Sequence, residues 1–219
     1  MNATDFLLWV RGPGLTLAAA IFFFGLALRF IEIYGLGRRA DLAVPRDPSP
    51  GSGWRTIVAR SLPPPGMMKR APVTYIGGYV FHLGLALILF FFVPHIEAFK
   101  GVFGLSWPGL PTPLIDFATV AAIVALFALL AHRIADPVKR LISGPGDYVV
   151  WALTLLPLLT GYLAARHMVL EYTWMLGLHI LSAEILFAAL PFTKLFHAFS
   201  LFVSRFYTGQ IFGRKGVAL

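Results

Sequence analysis

The chain has 219 residues, of which 58% are hydrophobic and 13% charged, with a net charge of +8. A water-soluble domain of this composition would expose far more apolar surface than soluble monomers carry, so an integral membrane protein is the class that fits. The absence of cysteine excludes disulfides, thiolate-ligated haem, iron–sulfur clusters and cysteine-type zinc sites, so any redox cofactor held by this chain must rest on histidine.

In chain order, the first apolar run is residues 15–33 (LTLAAAIFFFGLALRFIEI), long enough to span a bilayer. Arg38 and Arg39 follow the run, whereas a cleavable leader carries its positive charges before the apolar stretch. That order predicts a retained helix with its N-terminus outside rather than a cleaved leader. Arg29, near the inner end of this span, is expected to snorkel to the headgroups or to pair with a haem propionate. Residues 36–72 form the longest polar segment, and PRDPSPGSG and SLPPPG within it predict extended and turn conformations over regular helix. A loop this long without apolar periodicity points to a partner surface.

A second span is expected over 75–93, carrying His82, with Pro94 and His95 at its outer end. Gly77, Gly78 and Gly84 would let a helix or a flat cofactor approach its backbone closely. A short outer loop with Glu97, Lys100 and Trp107 leads to a third span over 117–131. After the basic segment HRIADPVKRLISGPGD comes a fourth over 148–165, and then Arg166 and His167. The fifth apolar run, 174–203, ends in the basic tail RFYTGQIFGRKGVAL. Segments 36–72, 132–147 and 204–219 together hold 13 of the 18 Lys and Arg residues. By the positive-inside rule this predicts an all-α bundle of five transmembrane helices, N-terminus outside and C-terminus cytoplasmic.

The fifth run contains His179 and His197 in LHILSAEILFAALPFTKLFHAFS. Imidazoles are scarce in hydrocarbon because they need polar partners there. Read as one helix, 18 residues are five whole turns, which puts both on one face about 27 Å apart, as in a wall holding two stacked haems. Depth pairs His197 with His82 at an inner level and leaves His179, His95 and His167 at the outer one. His132, beside Arg133 at the inner end of the third span, suits an interfacial or haem-propionate role better than ligation. Glu184, between the two histidines of the fifth run, is an intramembrane carboxylate suited to relaying protons from a quinol or bonding a ligand. Trp107, Trp151 and Trp174 are expected in the interfacial belt.

These residues resemble a known family, the cytochrome b or gamma subunit of respiratory nitrate reductase and its relatives. The relatives include the membrane cytochromes of sulfite-reductase-linked and heterodisulfide-reductase-like complexes. The match lies in LHILSAEILFAALPFTKLFHAFS, where two haem-ligating histidines flank a proline–phenylalanine step, and in FHLG around His82. FGLALRF, RIADPVKRLISGPGD and TGY add weaker likeness. The resemblance implies one or two haem b groups: an inner one on His82 and His197, and an outer one on His179 with His95 or, alternatively, His167. It also implies a quinone site that Lys100 and Glu184 help to form, and an electron-transfer role without a terminal catalytic site. The partners it implies are an iron–sulfur subunit and a catalytic subunit on the cytoplasmic side of a bacterial or archaeal membrane. The family's second ligand on helix two follows the first by ten residues, where this chain has Phe92. His95 comes 13 residues after His82, about 220° around an ideal helix, unless Pro94 breaks the helix and re-aims it. A different class of function, a haem-free anchor or small transporter with histidines along a proton or substrate path, also accommodates the composition.

Overall fold

The computed structural model describes residues 1–36, 42, 44–46 and 52–217, and among them the regular structure is all helical. Arg38, Arg39, Asp41 and Asp47 lie outside the described residues. Five helical stretches are long and apolar enough to cross a membrane: Ala3–Gly35, Pro72–Phe91, Thr112–Ala135, Pro145–Ala165 and Tyr172–Phe192. Only 17–33% of their most apolar windows is buried within the chain, so most of each apolar surface faces outward, as lipid-facing helices require. The protein is thus an all-α, multi-pass membrane protein.

The first stretch begins with α1 (Ala3–Trp9), capped by Asn2, whose side chain accepts from the Asp5 amide at 2.8 Å. A π-turn, Val10–Gly14 with Pro13 inside it, joins α1 to α2 (Leu15–Gly35). This span starts 12 residues before the expected residue 15, because Phe6 stacks on Trp174 (5.4 Å between ring centres) and pins α1 to the fifth stretch. Two short helices follow, α3 (Ser52–Ala59) and α4 (Met67–Arg70), and then α5 (Pro72–Phe91). The expected outer loop contains α6 (Val93–Phe103) before α7 (Thr112–Ala135). The turn helix α8 (Pro137–Leu141) leads to α9 (Pro145–Ala165), and α10 (Tyr172–Ala189) completes the spans.

The apolar core lies where α5, α7 and α9 meet, around Phe81, Ile88, Ala122, Leu126, Leu155 and Leu158. Small residues set how closely these helices approach. A side chain at Gly84 would meet the Ala118 carbonyl at 2.9 Å, and one at Gly77 would meet Leu129 at 3.1 Å. Gly78 faces open space. Of the three glycines, two therefore serve the contact with α7. α10 packs instead on α9, α2 and α1, and shares no comparable backbone packing with α5.

Two sequence expectations are corrected here. The run 174–203 is not one helix: α10 stops at Ala189, and two 3₁₀ turns (Leu190–Phe192 and Lys194–Phe196) precede α11 (His197–Arg214). Pro191 lacks the amide to continue the ladder, and Thr193 is fully extended (φ −122°, ψ 178°). The same-face, five-turn relation between His179 and His197 therefore does not hold. Nor is segment 36–72 without regular helix. α3 packs against α11, with Trp54 edge-on to Phe206 (5.3 Å) and Thr56 against the bare backbone of Gly209. The chain's own tail orders this part of the segment.

Ion pairs and hydrogen bonds gather the ends of the helices at two levels. At one end Lys194 Nζ reaches Asp147 Oδ1 (2.6 Å), Lys139 Nζ reaches Thr74 Oγ1 (2.6 Å), and Arg29 Nε donates to the Pro191 carbonyl (2.9 Å). At the other end Arg166 pairs with Asp116.

Candidate functional site

Four of the six histidines stand in two pairs. The rings of His82 on α5 and His197 at the start of α11 have centres 6.2 Å apart with planes at 75°. Those of His95 on α6 and His179 on α10 have centres 6.1 Å apart with planes at 20°. Each pair joins a residue of α5–α6 to one of α10–α11.

The spacing has chemical meaning. An imidazole nitrogen sits about 2 Å from a metal it ligates and about 1.1 Å from its own ring centre, so two imidazoles on opposite sides of one metal have centres about 6 Å apart. Offset-stacked and edge-to-face rings in direct contact have centres about 4.5–7 Å apart, so the distance accommodates a shared metal without singling one out. The second signal is the nitrogen that faces away. His82 Nδ1 lies 2.7 Å from the Gly78 carbonyl and His197 Nδ1 lies 2.8 Å from that of Lys194. His95 Nδ1 lies 2.9 Å from the Ile88 carbonyl and His179 Nδ1 lies 3.0 Å from that of Pro157. A carbonyl only accepts, so each Nδ1 is protonated, and in the neutral ring Nε2 then presents a lone pair, the arrangement that orients metal-ligating histidines. His95, beyond the end of α5, is also held below the ordinary imidazole range by burial, against the opposing effect of the Ile88 carbonyl.

Among the described residues no group of three or more His, Cys, Asp or Glu side chains gathers, so the donor sets are pairs. A pair suffices for a metal that brings its remaining ligands with it, and haem iron in its porphyrin is that case. The residues present fit bis-imidazole haem at both levels.

Local breaks in the helices create this geometry. Phe92 is extended (φ −78°, ψ 124°), which ends α5 and folds His95 back toward Ile88. Pro94 leaves the Phe90 carbonyl without its helical donor, and the indole Nε1 of Trp107 takes it at 2.5 Å. The Leu110 amide takes the Phe91 carbonyl at 2.9 Å. The outer loop thereby latches the break that aims His95. At the other break Pro191 is fully buried, and a side chain at Gly25 would meet the Phe192 ring at 2.4 Å. Arg29 donates to the Pro191 carbonyl and pairs with Glu32 (2.8 Å), so both of its contacts here are to protein groups.

Gly161 is the residue whose role sequence reasoning missed most completely. A Cβ there would lie 2.8 Å from His179 Cε1 and 3.0 Å from its Nδ1, so only glycine admits the ring against α9. Thr160 Oγ1 adds a 3.0 Å bond to Ser182 Oγ beside it. The signal was present in TGY, of which Gly161 is the centre.

The remaining candidates sit elsewhere. His167, in the left-handed region at φ 52°, stacks on Tyr172 (4.7 Å) and does not face His179. Lys100 is exposed and lies 3.7 Å from Glu97, an exposed pair of small energetic weight. Glu184 is buried on α10 against Gly14 of the π-turn and is a member of neither pair. Trp151 Nε1 bonds the Leu126 carbonyl at 2.9 Å inside the bundle, so it serves packing between α9 and α7.

No family model matches the chain, and no solved structure matches it. A protein of Nitratidesulfovibrio vulgaris (strain Hildenborough) is 32% identical over 213 residues, which cover 94% of this chain and 93% of that one. At that identity and coverage, the chain belongs to one family with this Nitratidesulfovibrio vulgaris protein.

Proposed function

We propose that this chain is a haem b-containing membrane subunit of a respiratory oxidoreductase, exchanging electrons between the quinone pool and a cytoplasmic-side iron–sulfur or catalytic subunit. The observation that carries the reading is the pairing of four imidazoles, two by two, each with Nδ1 on a backbone carbonyl. His82 and His197 hold the inner haem, and His95 and His179 the outer one. A haem in each place supplies a reversible one-electron carrier. The chain's own residues do the rest. The carbonyls of Gly78, Ile88, Pro157 and Lys194 fix the tautomers and raise ligand basicity. The apolar helices exclude water and so set the potentials. The exposure of Lys100, five residues past His95 on α6, supports a contact with a quinone head group.

The inner end of the bundle carries Arg133, Lys139, Arg140 and Lys194, with Arg55, Arg205 and Arg214 on the α3–α11 pair. In this reading that basic end faces the cytoplasm of a bacterial or archaeal cell, by the positive-inside rule, and docks the partner. The test is a visible absorption spectrum with haem quantification on the purified protein. Two b-type haems per chain are expected, falling to one in His197→Ala. A chain without haem, or a His197→Ala protein with full haem content, refutes the reading.

A further inference from the structure

Glu184 lies on α10, five residues beyond His179, so about 7.5 Å of helix rise separates them, toward the inner pair. It is 6% exposed, and its Oε1 is buried without a hydrogen-bond partner among the described residues. The atoms facing it come from the π-turn of the first span. A Cβ on Gly14 would lie 3.0 Å from Glu184 Oε2 and 3.1 Å from the Trp9 ring, so the carboxyl occupies the place that a side chain at 14 would take. π-turns inside α-helices mark functional positions disproportionately, and Pro13 fixes this one. The charged groups on the elements packed against α10 are Asp5 of α1, Arg11 of the π-turn, Arg29 and Glu32 of α2, and Asp147 of α9. None of them forms an ion pair with Glu184. His179, on its own helix, is bonded to Pro157.

An unpaired carboxylate at this depth is costly, whereas the neutral acid is not. The cost changes when a positive charge appears nearby. An iron between two neutral imidazoles carries one more positive charge oxidised than reduced, and in a low-dielectric interior that charge still acts on a carboxyl about one and a half turns from His179 along the same helix. We infer that Glu184 is a proton-binding site coupled to the His95–His179 pair, taking up one proton as one electron arrives there and releasing it as the electron leaves. The inference rests on the haem reading above. A quinol gives up two electrons and two protons on becoming quinone. The electrons arrive one at a time, and Glu184 binds one proton with each and releases it as that electron passes on to the inner haem, so two turns account for both. The proton adds to the Glu184 carboxylate oxygen to make a carboxylic acid.

Redox-induced infrared difference spectra and haem redox titrations at several pH values, on wild type and Glu184→Gln, test this. In wild type, reduction should bring up the carbonyl band of a protonated carboxyl that shifts in D₂O, and one haem potential should fall as pH rises. Both features should vanish in Glu184→Gln. The inference is overturned if the wild-type band is equal in both redox states, or if the pH dependence survives the substitution. Should Glu184→Gln fail to assemble, Gly14→Ala crowds the carboxyl and must shift the same band; an unmoved band overturns the inference. A visible spectrum without haem overturns both readings, whereas a haem-loaded wild type lacking the band overturns only this one.

Discussion

Replacing Gly161 by alanine sets two effects of opposite sign against each other. In a helix interior alanine is favoured over glycine by about 1 kcal/mol, so the change would stabilise α9 if the site had room. The added methyl instead meets His179 Cε1 at 2.8 Å, and ordinary contact begins at 3.4 Å, so the ring must retreat by about 0.6 Å. The Nδ1 bond to the Pro157 carbonyl, 3.0 Å long, holds the ring on that side and must lengthen or break. Overpacking of this kind costs about 1–3 kcal/mol. Loss of the partner that orients a metal ligand weakens metal affinity about 10–100-fold. Displacement beyond about 0.5 Å is also enough to spoil a preorganised site. On the proposed haem reading, the expected result is a protein that retains the inner haem and loses, or binds about 10–100-fold more weakly, the outer one. Haem-to-protein ratio and a redox titration resolving two components measure it. Gly101→Ala is the control, since nothing lies within 4 Å of a Cβ at that position. A Gly161→Ala protein with two haems, unchanged potentials and raised thermal stability would refute the claim that His179 is seated by the bare backbone of α9.

Gly25→Ala should act on the other level. Its methyl would overlap the Phe192 ring at 2.4 Å and push on the buried Pro191, so the inner haem should be weakened while the outer is kept, as read by the same titration. Trp107→Phe removes the donor to the Phe90 carbonyl while keeping the aromatic ring, and should loosen the outer haem by several-fold, with fully retained affinity counting against the latch. Glu171 caps α10, and the Thr173 hydroxyl and amide hold its carboxyl below the ordinary carboxylate range. Its contribution is therefore complete above the ordinary carboxylate pKa and is lost as pH falls through the depressed value. Thermal unfolding of wild type against Glu171→Gln should differ at neutral pH and converge in acid.

Composition and charge alone made the membrane class and five spans legible, because length and hydropathy are the physical requirements for crossing a bilayer. The histidines stood out for the same reason, since hydrocarbon does not tolerate an imidazole without a partner. What sequence periodicity misjudged was continuity. The run from Trp174 to Val203 is apolar throughout, and neither Pro191 nor Thr193 interrupts its hydropathy. Only the missing amide of Pro191 and the extended backbone of Thr193 divide it. At Phe92 the opposite holds: Pro94 gave notice of a break, and the break does bring His95 to His179. The α3–α11 contact was hidden because helices of such sequence declare themselves only through a partner 150 residues away, with Gly209 and Gly213 as the trace. Glycines in general carried more of the site than their sequence context announced. Gly14, Gly25 and Gly161 each hold open a space that a distant side chain fills.

The pairs are nested along the chain: His95 and His179 lie inside the interval bounded by His82 and His197. A ribosome therefore delivers the partner of His95 before it delivers the partner of His82. At synthesis rates of about 5–20 residues per second, the 18 residues between His179 and His197 take about 1–4 s. Biogenesis consequently has a built-in order, in which the outer pair is complete while the inner one still lacks a ligand. His197 emerges only with the start of α11, so the His82–His197 pair can form only after all five spans have been synthesised. Any process that sensed the His82–His197 pair would be reporting on synthesis through every span and the start of α11.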